Sequence, residues 1–364
     1  MSSVLAMRLL QCCILLLGLI LVPVSGLACT VCVDLPERTL ADRLLNDRIV
    51  VIAQPAPDNP FSFTIVETIA GDAQALAELP AIPFLVDAAT RRQFKIDNTL
   101  TVLMTFGSTE GSLLRSSGIG TWHRLMTMTP QRRQFVDTIL KNADAWRRNS
   151  TRNEARFAFF AAHHTDPDRA IQVAALTELA RVPYAFLRSL RDTLPPQELR
   201  RRLSDINEIP FEALYVKLLG ISNRQEADAY VSLNFDRAMQ RGSSMKTAWI
   251  LAGIEVGGAG ALDRVSQQLL RGALSEADRR ELLTALSVTG TARPQLREVI
   301  APVLHEAVQL HPERRADIAY TLYQWQDWTL APYFEQLLVE EPKLDQVTRS
   351  ILQLLITSAR AEAG

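Results

Sequence analysis

Hydrophobic residues in the second half of the chain recur at helical spacing. Prolines fall where a new helix can begin: Pro167, Pro183, Pro195 and Pro210. Proline is favoured in the first turn of a helix and disfavoured inside it, so each interval predicts one short helix and a tight connection. The pattern continues from residue 153 to residue 364, which predicts an all-α solenoid of HEAT-like helix pairs without a strict repeat.

The first third of the chain follows a different hydrophobic period. Four segments are rich in β-branched or alternating apolar residues and have turn residues between them: 48–54, 61–69, 84–86 and 100–106. This composition predicts short strands joined by turns. A helical pattern at Leu40 and Leu44 precedes the first strand. These segments predict a small antiparallel β-barrel or sandwich.

Local patterns predict where individual helices begin and end. Ser275–Asp278 is a capping box, and Gly290 is suited to the position after the last turn of the same helix. Thr165 or Asp166 is a suitable cap for a helix that begins at the following proline. The Gly257–Gly260 segment imitates the start of a dinucleotide fingerprint, but it lies among helices. We therefore interpret it as a turn between two helices.

The first 28 residues have the pattern of a secretory signal peptide. One positive charge, Arg8, precedes an apolar run that ends at Val22, and Pro23 and small residues follow. A membrane-spanning helix needs about 20 apolar residues, and this run is shorter. The pattern predicts an exported protein, periplasmic or extracellular, that is cleaved after Ala28.

The cysteines divide at the same point. Of the four cysteines, Cys12 and Cys13 lie in the predicted signal peptide, and Cys29 and Cys32 remain at the mature N-terminus. An exported chain meets an oxidising environment, which favours a local disulfide. A thiol–disulfide redox pair and a lipoprotein acylated at Cys29 are the alternatives. Zinc would need further ligands, and covalent haem would need a histidine where Val33 stands, so neither a metal nor a cofactor is predicted.

Two resemblances accompany these patterns. The Cys-x-x-Cys pair, ADRLLNDRIVVIA and FSFTIVETIAGD resemble the netrin-like OB barrels of tissue inhibitors of metalloproteinases, over roughly residues 29–128. That family carries further cysteines that this chain lacks, so its inhibitory site is not carried over. The segments ACTVC, IVETIAGD, ALTELARVPYAFLRSL and ALYVKLLGI resemble a group of uncharacterised secreted bacterial proteins. This second resemblance implies a CxxC-bearing β-domain followed by a HEAT-like helical repeat domain, and it implies no activity.

Composition and charge narrow the classes of partner. The chain has 39 Lys+Arg against 40 Asp+Glu, whereas electrostatically driven nucleic-acid binding requires a clear basic excess. We therefore predict no nucleic-acid partner, and a membrane partner only if Cys29 is lipidated. Only five of the basic residues are lysine. Codon composition explains this arginine excess on one interpretation, and a guanidinium-based anion site explains it on the other.

No motif in the sequence assigns a catalytic residue. His163 and His164 lie beside two aspartates, but adjacent helical residues point about 100° apart and do not form a natural metal chelate. No serine or cysteine has a recognisable base and oxyanion context. These patterns favour a protein that is not an enzyme, without settling the question.

Aromatic residues near the C-terminus are the candidate binding residues: Tyr320, Tyr323, Trp325, Trp328 and Tyr333. Aromatic side chains are enriched among the hot spots of protein interfaces. The alternative interpretation is core packing between successive helical repeats.

These observations combine into the prediction of an α+β architecture with two domains. The predicted parts are a signal peptide (1–28), an OB-like β-barrel domain (29–128), a connecting helix and linker (129–152), and a helical repeat domain (153–364). Stacked helices expose a long concave face that suits an extended ligand. We predict an exported interaction or scaffold protein of the cell envelope, which binds a protein or an envelope polymer through its helical repeats.

Overall fold

The computed structural model describes residues 35–56, 59–83, 86, 88–108, 120–147, 152–191, 193–222, 224–240 and 245–363. The predicted signal peptide, Cys29, Cys32 and most of the predicted strand 84–86 lie outside the described residues. The protein is mixed α+β, with a small sheet near the N-terminus followed by a mostly helical region. Among the helices described here, none combines the length and apolarity that a membrane crossing requires.

Four strands form an open antiparallel sheet in the order β2-β1-β3-β4: β1 (Ile49–Ala56), β2 (Asn59–Ala70), β3 (Val102–Ser108) and β4 (Gly120–Thr127). The strands predicted at 48–54, 61–69 and 100–106 are confirmed. Strand β4 was not predicted, because partly exposed His123 and Arg124 interrupt its apolar pattern. The pairing of Phe106 with Trp122 fixes its register against β3.

Both faces of β1 are buried. Ile49 and Val51 pack in one apolar cluster, which contains Trp122. Val50 and Ile52 face a second cluster, formed with helices on the other side of the sheet. Burial on both faces explains why this strand reads as a continuous apolar run instead of an alternating one.

Short helices surround the sheet: α1 (Leu40–Asn46), α2 (Ala73–Ala77), α3 (Ala88–Ile96), α4 (Pro130–Lys141) and α5 (Ala143–Arg147). Helix α1 begins with a capping box, because the Thr39 hydroxyl accepts from the Asp42 amide and the Asp42 carboxylate accepts from the Thr39 amide. The helical pattern at Leu40 and Leu44 is therefore confirmed.

The helical region continues with α6 (Glu154–Ala162), α7 (Arg169–Leu179), α8 (Tyr184–Leu187), α9 (Pro196–Arg202), α10 (Glu212–Ile221), α11 (Gln225–Gln240), α12 (Lys246–Arg271), α13 (Glu276–Ala292), α14 (Arg297–Leu310), α15 (Arg315–Trp325), α16 (Ala331–Glu340) and α17 (Gln346–Ala363). One continuous apolar core joins Phe157 in α6 to Ile356 in α17. From Leu35 onward the chain forms one compact unit.

Two of the predicted helix boundaries are confirmed. Ser275 caps α13, since its hydroxyl accepts from the Asp278 amide at 3.1 Å. Gly258 has a φ of 55° and divides α12 into two helical halves, as the predicted turn requires.

Two other boundaries were predicted wrongly. Asp168, and not Thr165 or Asp166, caps α7, because its carboxylate accepts from the Ala170 amide at 2.9 Å. Gly290 lies inside α13 and not beyond its end. A Cβ at Gly290 would stand 2.4 Å from the Trp325 ring, so this glycine permits close helix packing.

Side chains 34 residues apart bond to each other repeatedly in the helical region. The pairs are Thr247–Glu281, Arg279–Glu313, Thr291–Trp325, Ser287–Thr321 and Trp328–Glu362. Each pair joins a helix, or the loop after it, to a segment 34 residues later in the chain. Helix α13 is therefore a neighbour of both α12 and α15, and α15 is also a neighbour of α17.

Candidate functional site

A groove of about 740 Å³ lies in the helical region, and we call it the aromatic groove. Its walls come from the start of the helical region, α8, α13, α15 and α17. The lining residues are Arg152, Pro183, Ala185, Phe186, Thr291, Tyr320, Tyr323, Gln324, Gln326, Trp328, Ser358 and Glu362. The volume of the groove lies within the range of small-ligand sites, and its lining combines aromatic rings with polar groups.

Three of the predicted aromatic residues meet in this groove. The rings of Tyr320 and Tyr323 are stacked, with centroids 6.4 Å apart and planes at 25°. The Trp328 ring is tilted against Tyr323 at 6.2 Å. Tyr320 is 47% exposed, and the other two are half-buried. The three rings thus form a short, partly exposed aromatic strip along the groove.

The end of α15 places Trp328 beside Tyr323. Gln326 adopts a left-handed conformation with φ 59°, and it is the only residue other than glycine with positive φ in the described part of the chain. The Asp327 amide donates to Leu322 O at 2.9 Å and the Gln326 amide donates to Tyr323 O at 3.1 Å. This Schellman arrangement turns the chain sharply, so Trp328 returns over the last turn of the helix.

Asp327 stabilises the same turn. Its carboxylate accepts from the Thr329 amide at 3.0 Å and lies 3.0 Å from His305 Nε2. Burial acts to raise the pKa of Asp327, but the bonds from Thr329 and the His305 charge outweigh it and lower that pKa. Asp327 is therefore held ionised, and it lies between the groove residues Gln326 and Trp328 along the chain.

The α8 wall of the groove lies beside an ion pair with a buried carboxylate. Tyr184 and Leu187 of α8 are buried, whereas Phe186 lies on the groove and stacks on Phe157 at 5.4 Å. Arg188 Nε, just after α8, lies 3.0 Å from the buried Glu255 carboxylate. Burial, followed by the nearby Glu255 charge, raises the pKa of Tyr184 well above its ordinary value. Tyr184 therefore stays neutral. Its buried side chain and that of Leu187 fix α8 against the core.

The structure places the other two predicted aromatics outside the groove lining. Trp325 is buried, and its indole N–H donates to Thr291 Oγ1 at 3.0 Å. Tyr333 is half-buried beside Phe334, with ring centroids 5.4 Å apart. These two residues contribute to packing between helices, as the alternative interpretation of the cluster expects.

The aromatic groove adjoins a second depression of about 250 Å³ between α13 and α15. Tyr320 lines both. The floor of the second depression includes Ser287 and Thr321, whose hydroxyls lie 2.9 Å apart. Tyr320 is therefore common to the aromatic groove and the depression between the two helices.

Sequence reasoning missed several residues of the groove. Phe186 and Arg152 lie far from the aromatic cluster along the chain, and only the fold brings them beside it. Gln324 and Gln326 carry no motif. The short Pro183–Phe186 segment was recognised as a helix start, but nothing in the sequence indicated which helix would face it.

The groove offers aromatic faces, amide groups and hydroxyls, together with one arginine and one carboxylate. The Trp328 indole N–H donates to that carboxylate, on Glu362, at 2.6 Å. The two histidines singled out in the sequence lie elsewhere: His163 Nδ1 is 3.1 Å from Asp166, and His164 Nδ1 is 2.5 Å from Ala161 O. Within the described ranges, no three His, Cys, Asp or Glu side chains are grouped to hold a metal ion.

Comparisons with known proteins found no relative, so the function is interpreted from the geometry of the groove. No protein-family model matches this chain, and searches of curated proteins and of solved structures also gave no match.

Proposed function

We propose that this protein is an exported, non-enzymatic interaction protein that holds an extended segment of a protein partner in the aromatic groove. The observation that carries the proposal is the convergence of Tyr320, Tyr323 and Trp328 on one groove of about 740 Å³. Aromatic-lined grooves recognise extended peptides through stacking, and neutral polar neighbours bond the peptide backbone. An envelope polymer is the other occupant that this surface suits.

We further propose that the helical region is an α-solenoid of HEAT-like helix pairs. Support comes from the side-chain bonds between residues 34 apart, which recur from Thr247 to Glu362. HEAT repeats span about 40–47 residues and tetratricopeptide repeats 34, so the proposed repeat is short for the HEAT type. In such a stack, each repeat contributes a strip to one continuous binding face.

The N-terminal sheet belongs to the same proposal. We propose that it curls towards an OB-like barrel over residues 29–128. Support comes from the register shifts along the β1–β2 pair, since such irregularities increase the local twist of a sheet. Export is proposed on the leader pattern of residues 1–28.

The test replaces aromatic residues and measures partner capture from an extract of the source cell's envelope. The variants are Tyr320→Ala and Tyr323→Ala, with Tyr333→Ala as the matched control, because Tyr333 is a tyrosine of the next helix outside the groove lining. An interface hot spot contributes about 2 kcal/mol or more, which is a loss of about thirtyfold in affinity.

We expect both groove variants to lose the captured partner while Tyr333→Ala retains it. Equal capture by all four proteins would reject the groove as the binding surface. Equal losses in all three variants would reject it as well, since the effect would then be general destabilisation. The location is tested separately, by the intact mass of the mature N-terminus.

A further inference from the structure

A second groove, of about 620 Å³, lies where the sheet meets the first helices, and we call it the arginine groove. Five arginines line it: Arg38, Arg43, Arg124, Arg132 and Arg169. Between them the lining is mainly apolar, with side chains such as Leu40, Leu125, Met126 and Val173. None of the described lining residues is acidic. The groove shares no lining residue with the aromatic groove.

The fold assembles these arginines from separate parts of the chain. Arg43 lies on α1, Arg124 on β4, Arg132 on α4 and Arg169 at the start of α7, and Arg38 precedes α1. The whole chain has a formal net charge of −1. A cluster of five guanidinium groups around one groove is therefore a local feature and not a consequence of a basic protein.

Carboxylates that lie behind the wall hold the guanidinium groups in place. Arg38 Nη1 is 2.5 Å from Asp47, whose side chain is fully buried. Arg132 Nε donates to Asp168 at 2.8 Å. Arg169 Nη1 is 2.7 Å from the buried Glu208. Because these partners are themselves buried or nearly so, the arginines are ordered before a ligand arrives, which reduces the entropy cost of binding.

Two of these arginines keep N–H donors that their described bonds do not use. Arg132 uses Nε for Asp168 and Nη1 for Thr127, and its Nη2 makes no bond to any residue that the structure describes. Arg169 is 45% exposed and bonds through its two Nη atoms, which leaves its Nε–H. Guanidinium groups present planar pairs of donors that match carboxylate and phosphate oxygens.

We propose that the arginine groove binds an amphiphilic organic anion, in which a carboxylate or phosphate group is attached to an apolar body. The arginines receive the oxyanion, and the Leu40, Leu125 and Val173 side chains receive the apolar part. The volume is that of a site for a drug-sized molecule. A free amphiphile and the headgroup of a membrane lipid share this chemistry, and the experiment separates them.

The test uses the full mature chain and isothermal titration with four probes: decanoate, decyl phosphate, decanol and inorganic phosphate. Decanol lacks the anion and inorganic phosphate lacks the apolar body. The variants are Arg169→Gln and Arg124→Gln. The control is Arg201→Gln, which removes an exposed arginine whose bonds within the described residues go to Glu198 on its own helix. Circular dichroism checks that each variant is folded.

We expect both anionic amphiphiles to bind about tenfold or more tightly than decanol and inorganic phosphate, because a charge-assisted hydrogen bond is worth at least that ratio. Arg169→Gln and Arg124→Gln should each weaken decyl phosphate binding by about fivefold or more, and Arg201→Gln should leave it unchanged. Failure of both groove variants to change the affinity would overturn the proposal, as would equal binding of decanol and decanoate. Equal binding of inorganic and decyl phosphate would also overturn it.

A competition experiment with vesicles of anionic lipid distinguishes a free amphiphile from a lipid headgroup. Competition between decyl phosphate and such vesicles would assign the site to a lipid headgroup, and binding of the soluble amphiphile without competition would assign it to a free molecule. Binding to vesicles alone, unaffected by Arg169→Gln and Arg124→Gln, would contradict the proposal.

Discussion

Replacement of Arg156 by methionine should destabilise the protein far more than the same replacement at Arg133. Arg156 is 3% exposed, bonds both oxygens of Glu178 at 2.8 Å and also donates to Asp42 at 2.8 Å, which ties α1, α6 and α7 together. Arg133 makes a similar two-pronged contact with Glu67, at 2.5 and 2.8 Å, but both side chains are at least one third exposed.

Burial decides the size of each effect. Arg156→Met leaves Glu178, which is 7% exposed, without its cation, whereas Asp42 keeps its contact with Arg181 at 3.0 Å. Removal of one partner from a buried ion pair costs about 3–5 kcal/mol. The exposed pair at Arg133 is screened by solvent, so its loss costs about 0–1 kcal/mol. The two variants should therefore differ by about 2–5 kcal/mol in unfolding free energy at pH 7.

The pH dependence provides a second signature. Burial raises the pKa of Glu178 in the folded protein, even though Arg156 opposes that shift, and loss of Arg156 removes the opposition. A carboxyl whose pKa is higher in the folded state binds its proton more readily when folded. Its protonation therefore favours the folded state as pH falls. The deficit of Arg156→Met should shrink between pH 7 and pH 5.

Urea denaturation followed by circular dichroism, on the unmodified chain and both variants at pH 7 and pH 5, measures these differences. Equal losses at the two sites would refute the role given to burial. A deficit of Arg156→Met that stays constant or grows as pH falls would refute the role given to Glu178.

Three further predictions concern stability and ionisation. Gly290→Ala should lower the unfolding free energy by about 1–3 kcal/mol, because the added methyl group clashes with the Trp325 ring, and urea titration measures the loss. Phe334→Ala should cost about 3–5 kcal/mol in the same assay, since Phe334 is fully buried. The bond from Arg201, together with a second bond from Arg202, lowers the pKa of Glu198 to about 2, so NMR titration should place its midpoint near that value. Its modest contribution to stability should be present above the unfolded pKa and be lost as pH falls towards 2.

The strands and helices that have strong local signals were predictable, and those shaped by tertiary contacts were not. The β-branched run that contains β1 and the capping box at Ser275 depend on neighbouring residues alone. Gly290 resembled a helix end because glycine favours that position, but here it is required by the close approach of Trp325 from another helix. Residues near Gly290 in the sequence do not indicate that contact, because Trp325 lies 35 residues further along the chain.

The candidate sites show the same division. The aromatic cluster was visible in the sequence, but its separation into groove residues such as Tyr323 and packing residues such as Trp325 depends on how α15 is oriented. The excess of arginine over lysine was the one sequence feature that indicated an arginine site. Its members come from different elements, so no spacing along the chain could identify them.

Site-specific photo-crosslinking tests the central claim most directly. A benzoylphenylalanine at Gln324, an exposed residue of the aromatic groove, is compared with one at Gln336, an exposed residue of α16 outside the groove lining. Irradiation in the envelope extract should give a defined partner adduct from position 324 only, and the Tyr320→Ala substitution should abolish it. Adducts of equal yield from both positions, or an adduct at 324 that Tyr320→Ala does not affect, would contradict binding in this groove.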